Sequence, residues 1–167
     1  MAMVGLFWIA EGDVYVGAKP SGLAPGVRLT PEGVVALGHN QSGLWLWEDV
    51  HALTVADIPV KSLKRQVGAV VDLALTVGLG GADEAPAMTV CVESPDGEEH
   101  ELTAYVAAAT GYSQTEVDLS RTLLSRLTEG AATMSTTLAS MSEWGRAWEG
   151  GSPRGAERVG LLRGWVG

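Results

Sequence analysis

The sequence predicts an α+β domain: a mainly antiparallel bent β-barrel or sheet of about seven short strands, capped by a C-terminal helix and followed by extra C-terminal helices. Three observations carry this. Aromatic and β-branched runs alternate with Gly- and Pro-bearing turns up to residue 106. Helical periodicity with capping residues begins at Ser113. Finally, 46% hydrophobic against 19% charged residues over 167 positions is the composition of a chain that buries one core without help from a metal or a disulfide.

The strands follow in order. Leu6-Phe7-Trp8-Ile9-Ala10 and Val14-Tyr15-Val16 flank the short turn Glu11-Gly12-Asp13, which predicts strands over 6–10 and 13–17. A Pro- and Gly-rich loop from Lys19 to Gly26 leads to Val27-Arg28-Leu29-Thr30 and Val34-Val35-Ala36-Leu37. These flank Pro31-Glu32-Gly33, whose Pro and Gly have the chemistry of a tight turn, and give strands 27–30 and 33–38. After a polar turn at His39 to Gly43, Leu44-Trp45-Leu46-Trp47 opens a long strand, 44–55. Both its faces are apolar, so it is expected to be covered on both sides, with Leu53 and Val55 inward. Ser62, Leu63, Val67, Val70, Val71 and Ala74 have the spacing of a capped helix over 62–78, although Leu73 to Val77 fits a strand as well. Strands 88–94 and 98–106 then form a hairpin around Ser94-Pro95-Asp96-Gly97.

From there the pattern is helical. Ser113 and Glu116 have capping-box spacing, and Val117, Leu123, Leu124 and Leu127 make an apolar stripe. Met134, Leu138 and Met141 extend a second helical segment to Trp144. Gly150-Gly151 breaks the chain, and Ser152-Pro153 reads as the cap and first residue of a last helix to about Trp165. The division expected is a β-domain over 1–130, with the helical excursion near 62–78, and a helical extension over 131–167.

This order of strands followed by a helix resembles the pleckstrin-homology-like (PH-like, GRAM-like) superfamily. The residues that carry the likeness are Val27-Arg28-Leu29-Thr30-Pro31-Glu32-Gly33-Val34-Val35 and Trp45-Leu46-Trp47-Glu48-Asp49-Val50-His51-Ala52-Leu53. The likeness covers about residues 5–130 and implies a bent antiparallel barrel closed by a helix, used as a scaffold for protein contacts. Two departures stand out: segment 59–87 is a long insertion between strands, and the turn between the first two strands, Glu11-Gly12-Asp13, is acidic where a phosphoinositide binder is basic. Phosphoinositide binding is therefore not expected.

Charge narrows the partners. The net charge is −9, and residues 81–120 carry nine acids and no base. Such a chain is a poor binder of nucleic acid or anionic lipid, since phosphate binding draws on Lys and Arg. The cluster Lys61, Lys64, Arg65 reads as a solvated helix start. The longest apolar stretch, Val67 to Gly81, contains Asp72 and falls short of the roughly 20 residues of a membrane span. Cys91 is the one cysteine, and the N-terminus lacks the positive start of a signal peptide, so a cytoplasmic location is expected. Abundant Ala, Gly and Val with three lysines point to a high-GC genome.

No Gly-x-Ser-x-Gly elbow, phosphate-binding loop or paired metal-ligand spacing occurs, so no catalytic residue, cofactor or metal is assigned. His39 or His51 meeting Glu48 or Asp49 in a deep pocket would make a small-molecule-binding barrel or small enzyme. Glu93, Asp96, Glu98, Glu99 and Glu101 gather on one hairpin and offer an acidic docking face, the mark of a structural subunit held to a basic partner. The leading expectation comes from tryptophan. Six Trp stand beside one Phe; Trp8, Trp45 and Trp47 fall in strands and are assigned to the core. Trp144, Trp148 and Trp165, with Leu161 and Leu162, lie past the point where a domain core is complete and are the candidate contact residues. The function expected is a non-catalytic protein-interaction module, binding a partner or a second copy of itself as a homodimer.

Overall fold

In a computed structural model of the chain, residues 2–10, 12–20, 24–38, 41–58, 60–61, 87–106, 112–129, 131–148 and 153–166 are described. The expected helix over 62–78 lies outside them. The strands are β1 (Ala2–Val4), β2 (Phe7–Ala10), β3 (Asp13–Val16), β4 (Gly26–Leu29), β5 (Gly33–Leu37), β6 (Gly43–Leu46), β7 (Ala52–Ala56), β8 (Val60–Lys61), β9 (Ala87–Glu93), β10 (Glu99–Tyr105) and β11 (Tyr112–Ser113). The helices are α1 (Gln114–Leu127), α2 (Ala131–Ala147) and α3 (Gly155–Val166). The fold is α+β with its helices at the C-terminal end.

β1 to β6 form one six-stranded antiparallel meander, and β10, β9 and β7 form a second antiparallel sheet. β8 and β11 make a short parallel pair. Among the described residues no sheet closes on itself, so two open sheets stand where one bent barrel was expected. The cause lies in residues 47–49. The long strand expected over 44–55 breaks there in a turn of 3₁₀ helix. Leu46 still pairs with Gly33 in the first sheet, whereas Ala52 pairs with Glu93 in the second. The indole N–H of Trp47 donates to the Thr30 carbonyl at 2.6 Å and fixes the break.

Two polar links tie the sheets where β4 meets β10. The Gln41 side-chain amide behaves as a strand neighbour of β10: its Nε2 donates to the Thr103 carbonyl (2.9 Å) and its Oε1 accepts from the Thr103 N–H (2.8 Å). The same Nε2 lies 3.1 Å from the carbonyls of Gly26 and Leu37. Beside it, the Ala18 N–H donates to the Tyr105 carbonyl at 2.7 Å.

The period-2 alternation of a strand puts Phe7, Ile9, Val14, Val16, Val27, Leu29, Val34 and Ala36 on the inward face of the first sheet, all buried. The inward positions of the second sheet are Leu53, Val55, Met88, Val90, Val92, Leu102 and Ala104, which meet them in one core. The β1–β2 turn places Gly5 at φ +58°, the residue type a two-residue hairpin needs at that position. There the Leu6 N–H donates to the buried Ser120 hydroxyl of α1 at 3.1 Å, and a Cβ on Gly5 would overlap that hydroxyl.

The helices belong to the same core. Val117, Leu123, Leu124 and Leu127 of α1, Leu138 and Met141 of α2 and Leu162 of α3 are all buried in it. The described part of 131–167 thus packs on its own chain. α2 reaches β2 through Gly145, where a Cβ would overlap the γ-methyl of Ile9. Gly145→Ala is therefore expected to destabilise the protein by about 1–3 kcal/mol, outweighing a gain of about 1 kcal/mol in helix propensity. Gly164→Ala is the control, because a Cβ there meets nothing within 4 Å. Thermal melts check this: equal melting temperatures for the two variants would contradict the close approach of α2 to β2.

Candidate functional site

The three late tryptophans come together. α2 sets Ser140 and Trp144 four residues apart, Trp148 just past its end continues the row through its N–H bond to the Trp144 carbonyl, and α3 sets Glu157, Gly160, Leu161, Gly164 and Trp165 on the face opposite. These residues line an open groove of about 600 Å³. Trp144 and Trp148 stack with ring centroids 5.2 Å apart at 25°, and Trp165 meets Trp144 edge-on at 5.9 Å and 76°. Trp144, Leu161 and Trp165 also touch the core, so their inner edges are fixed while their outer faces line the groove.

One expected contact residue is corrected. Leu162 is 0% exposed and is a core residue, not a contact residue. Helical phase separates it from its neighbour: Leu161 points along the groove and Leu162 to the opposite side, where a Cβ on Gly5 would meet its δ-carbons. Ser140, Glu157, Gly160 and Gly164 join the groove without a distinguishing mark in the sequence. Their four-residue spacings are visible there, but which helical face they share depends on where α3 begins, at Gly155.

A buried ion pair holds α3 in place. Glu116, in the first turn of α1, is 3% exposed. Arg158 of α3 donates from Nε to Glu116 Oε1, from Nη2 to Oε2 at 3.5 Å, and from Nη1 to the Pro153 carbonyl at 2.7 Å. The Ser113 hydroxyl donates to Glu116 Oε2 at 2.6 Å and accepts from the Glu116 N–H at 3.2 Å, which realises the expected cap. Burial alone would raise the Glu116 pKa; the hydrogen bonds from Arg158 and Ser113 and the Arg158 charge outweigh it and hold the carboxyl below the usual carboxylate range.

The acidic residues lie on the β9–β10 hairpin as expected. Glu93 and Glu99 are cross-strand partners, Glu101 faces Cys91, and Asp96 and Glu98 occupy the turn. The Ser94 hydroxyl and the Glu98 N–H hold the Asp96 carboxyl low. His100 points to the other side, its ring 5.3 Å from Trp45. Burial pushes the Cys91 thiol up and Glu99 and Glu101 add to it, so Cys91 is a half-buried, weakly acidic thiol.

Other expectations shift. β6 is an edge strand, so Leu44 and Leu46 are 51% and 39% exposed instead of covered. Trp45 and Trp47 pack partly on the core, but Trp8 faces away from Phe7 and Ile9 on the opposite side of β2 and is half-buried. Glu48, Asp49 and His51 are exposed and line neither the tryptophan groove nor the smaller hollow of about 220 Å³ at Pro31, Leu138, Ser142 and Arg146. His39 lies outside the described residues. Among the described residues no group of three or more His, Cys, Asp or Glu is placed to hold a metal ion, and no helix is long and apolar enough to cross a membrane. Comparison of the chain with protein-family models, curated proteins and solved structures gives no match.

Proposed function

We propose that the chain is a non-catalytic protein-interaction module whose contact surface is the α2–α3 tryptophan groove. The observation that supports this is the gathering of three indoles on the solvent side of a core already filled by Leu138, Met141 and Leu162. Indoles left in an open groove expose apolar area that association removes from water, and they are the residues most enriched among interface anchors. A cytoplasmic location fits a single cysteine, which has no intrachain disulfide partner.

Trp148→Ala tests the reading, since Trp148 lines the groove but is not part of the core cluster. The full chain and the variant are compared by light scattering and by affinity capture from a lysate of the source organism. The variant is expected to keep its melting temperature within a few degrees and to lose an associated protein, or a dimer, that the parent holds. An unchanged mass together with an unchanged set of captured proteins would overturn the proposal.

A further inference from the structure

We infer that the tryptophan groove receives an arginine side chain of a partner polypeptide, an inference that rests on the groove being the contact surface. Three features of the groove point to a planar cation. Its walls are indoles, whose faces are negative and attract cations placed within about 6 Å of the ring centre. Among the described residues that line it, Glu157 is the one charged side chain, and it is exposed at the groove rim. The arginine nearest to it in sequence, Arg158, is already committed to Glu116 and to the Pro153 carbonyl. The groove therefore presents aromatic faces and a carboxylate with no lining cation to neutralise them.

Two glycines leave space on the α3 side of the groove. Gly160 and Gly164 lie one helical turn apart on α3, and a Cβ at either would meet nothing within 4 Å. Neither has a positive φ, and neither is needed for close packing within the chain. Each weakens the helix relative to alanine. What both glycines provide is room beside Trp144 and Trp165. A flat guanidinium suits such an open aromatic surface: it stacks on an indole and still offers donors to a carboxylate, which a lysine ammonium does less well.

The lining sets the charge of the occupant: among the described residues its one charged side chain is the Glu157 carboxylate, which favours a cation.

The test pans a displayed library of random 12-residue peptides on the immobilised full chain, with counter-selection on Gly164→Leu, which fills the groove from its α3 side. Gly160→Leu is a second block, and the thermal melt of each variant checks its fold. Recovered peptides are expected to be several-fold enriched in arginine, to bind either blocked variant about tenfold or more weakly, and to lose about three- to tenfold in affinity on Glu157→Gln. Groove-dependent peptides without arginine enrichment would overturn the cation and leave the contact surface standing. Equal binding of lysine-substituted peptides would overturn the choice of arginine. No peptide that distinguishes the parent from the blocked variants, or a groove-dependent homodimer in light scattering, would overturn the inference; the first of these counts against the contact surface as well.

Discussion

Arg158→Ala is expected to lower the unfolding free energy by about 3–5 kcal/mol at neutral pH, the usual cost of leaving one member of a buried pair behind. Glu116 is 3% exposed and would remain as a buried carboxylate without its cation, keeping only the hydrogen bond from the Ser113 hydroxyl among the described partners. Replacing both residues in Glu116→Leu/Arg158→Leu is expected to cost less than removing Arg158 alone, because no charge is then stranded. For a domain with a total stability of about 5–15 kcal/mol, the single change is large enough to show in the folded fraction at growth temperature.

The pH dependence has a definite sign. In the parent, Glu116 is held below its ordinary carboxylate range, so folding favours the ionised form. Its contribution is fully present above the unfolded carboxyl value of about 4.3 and is lost as the pH falls through the lower folded value. In Arg158→Ala the main compensation is gone and burial dominates, which raises the folded pKa; protonation then relieves the variant as the pH falls. The gap between parent and variant should narrow between about pH 6 and pH 4. Urea unfolding at both ends of that range measures it, and a constant gap would mean that the carboxyl is not the group that suffers.

The same pair shows where sequence ceased to be legible. Ser113 and Glu116 announced a helix start by their spacing, and the start is where they put it. The partner of Glu116 stands 42 residues away, and no local pattern links the two. Turn chemistry carried most of the β-structure for the same local reason. Ser94-Pro95-Asp96-Gly97 closes on itself, with the Gly97 N–H donating to the Ser94 carbonyl at 3.0 Å and Gly97 at φ +90°. The Val117, Leu123, Leu124, Leu127 stripe is buried as its periodicity required. Residues 44–55 failed because apolar alternation measures propensity to be extended, not continuity: Trp47 finds a better partner in the Thr30 carbonyl, and the chain changes sheets there. β1 is three residues long and is paired only through its turn with β2, which no run of residues signals.

The candidate site was half legible on similar grounds. Position near the C-terminus singled out Trp144, Trp148 and Trp165, but the premise of a core complete before them fails, since Leu138, Met141 and Leu162 belong to that core. That Leu162 would not follow them depended on the phase of α3, and phase is set by tertiary contacts.

Leu162→Ala makes that phase measurable. The side chain is 0% exposed and shares the core with α1 and the β1–β2 turn, so truncation should destabilise the protein by about 2–5 kcal/mol. Leu161→Ala, one residue away but half-buried at the groove, should cost clearly less. Urea unfolding of the two variants compares them directly. Equal losses would mean that α3 is rotated from the position described, and the lining of the groove would change with it. The shape of the transition tests the anchoring of α3 separately. Leu138, Met141 and Leu162 lie in the same cluster as Phe7, Ile9 and Val14, so the last two helices and the sheets should melt together and Leu162→Ala should shift one cooperative transition. A variant in which an early, small transition separates from an unmoved main one would show the last helices to be an independent unit. In that case α3 would no longer be anchored to the core, and the groove would not be a fixed feature of the folded protein.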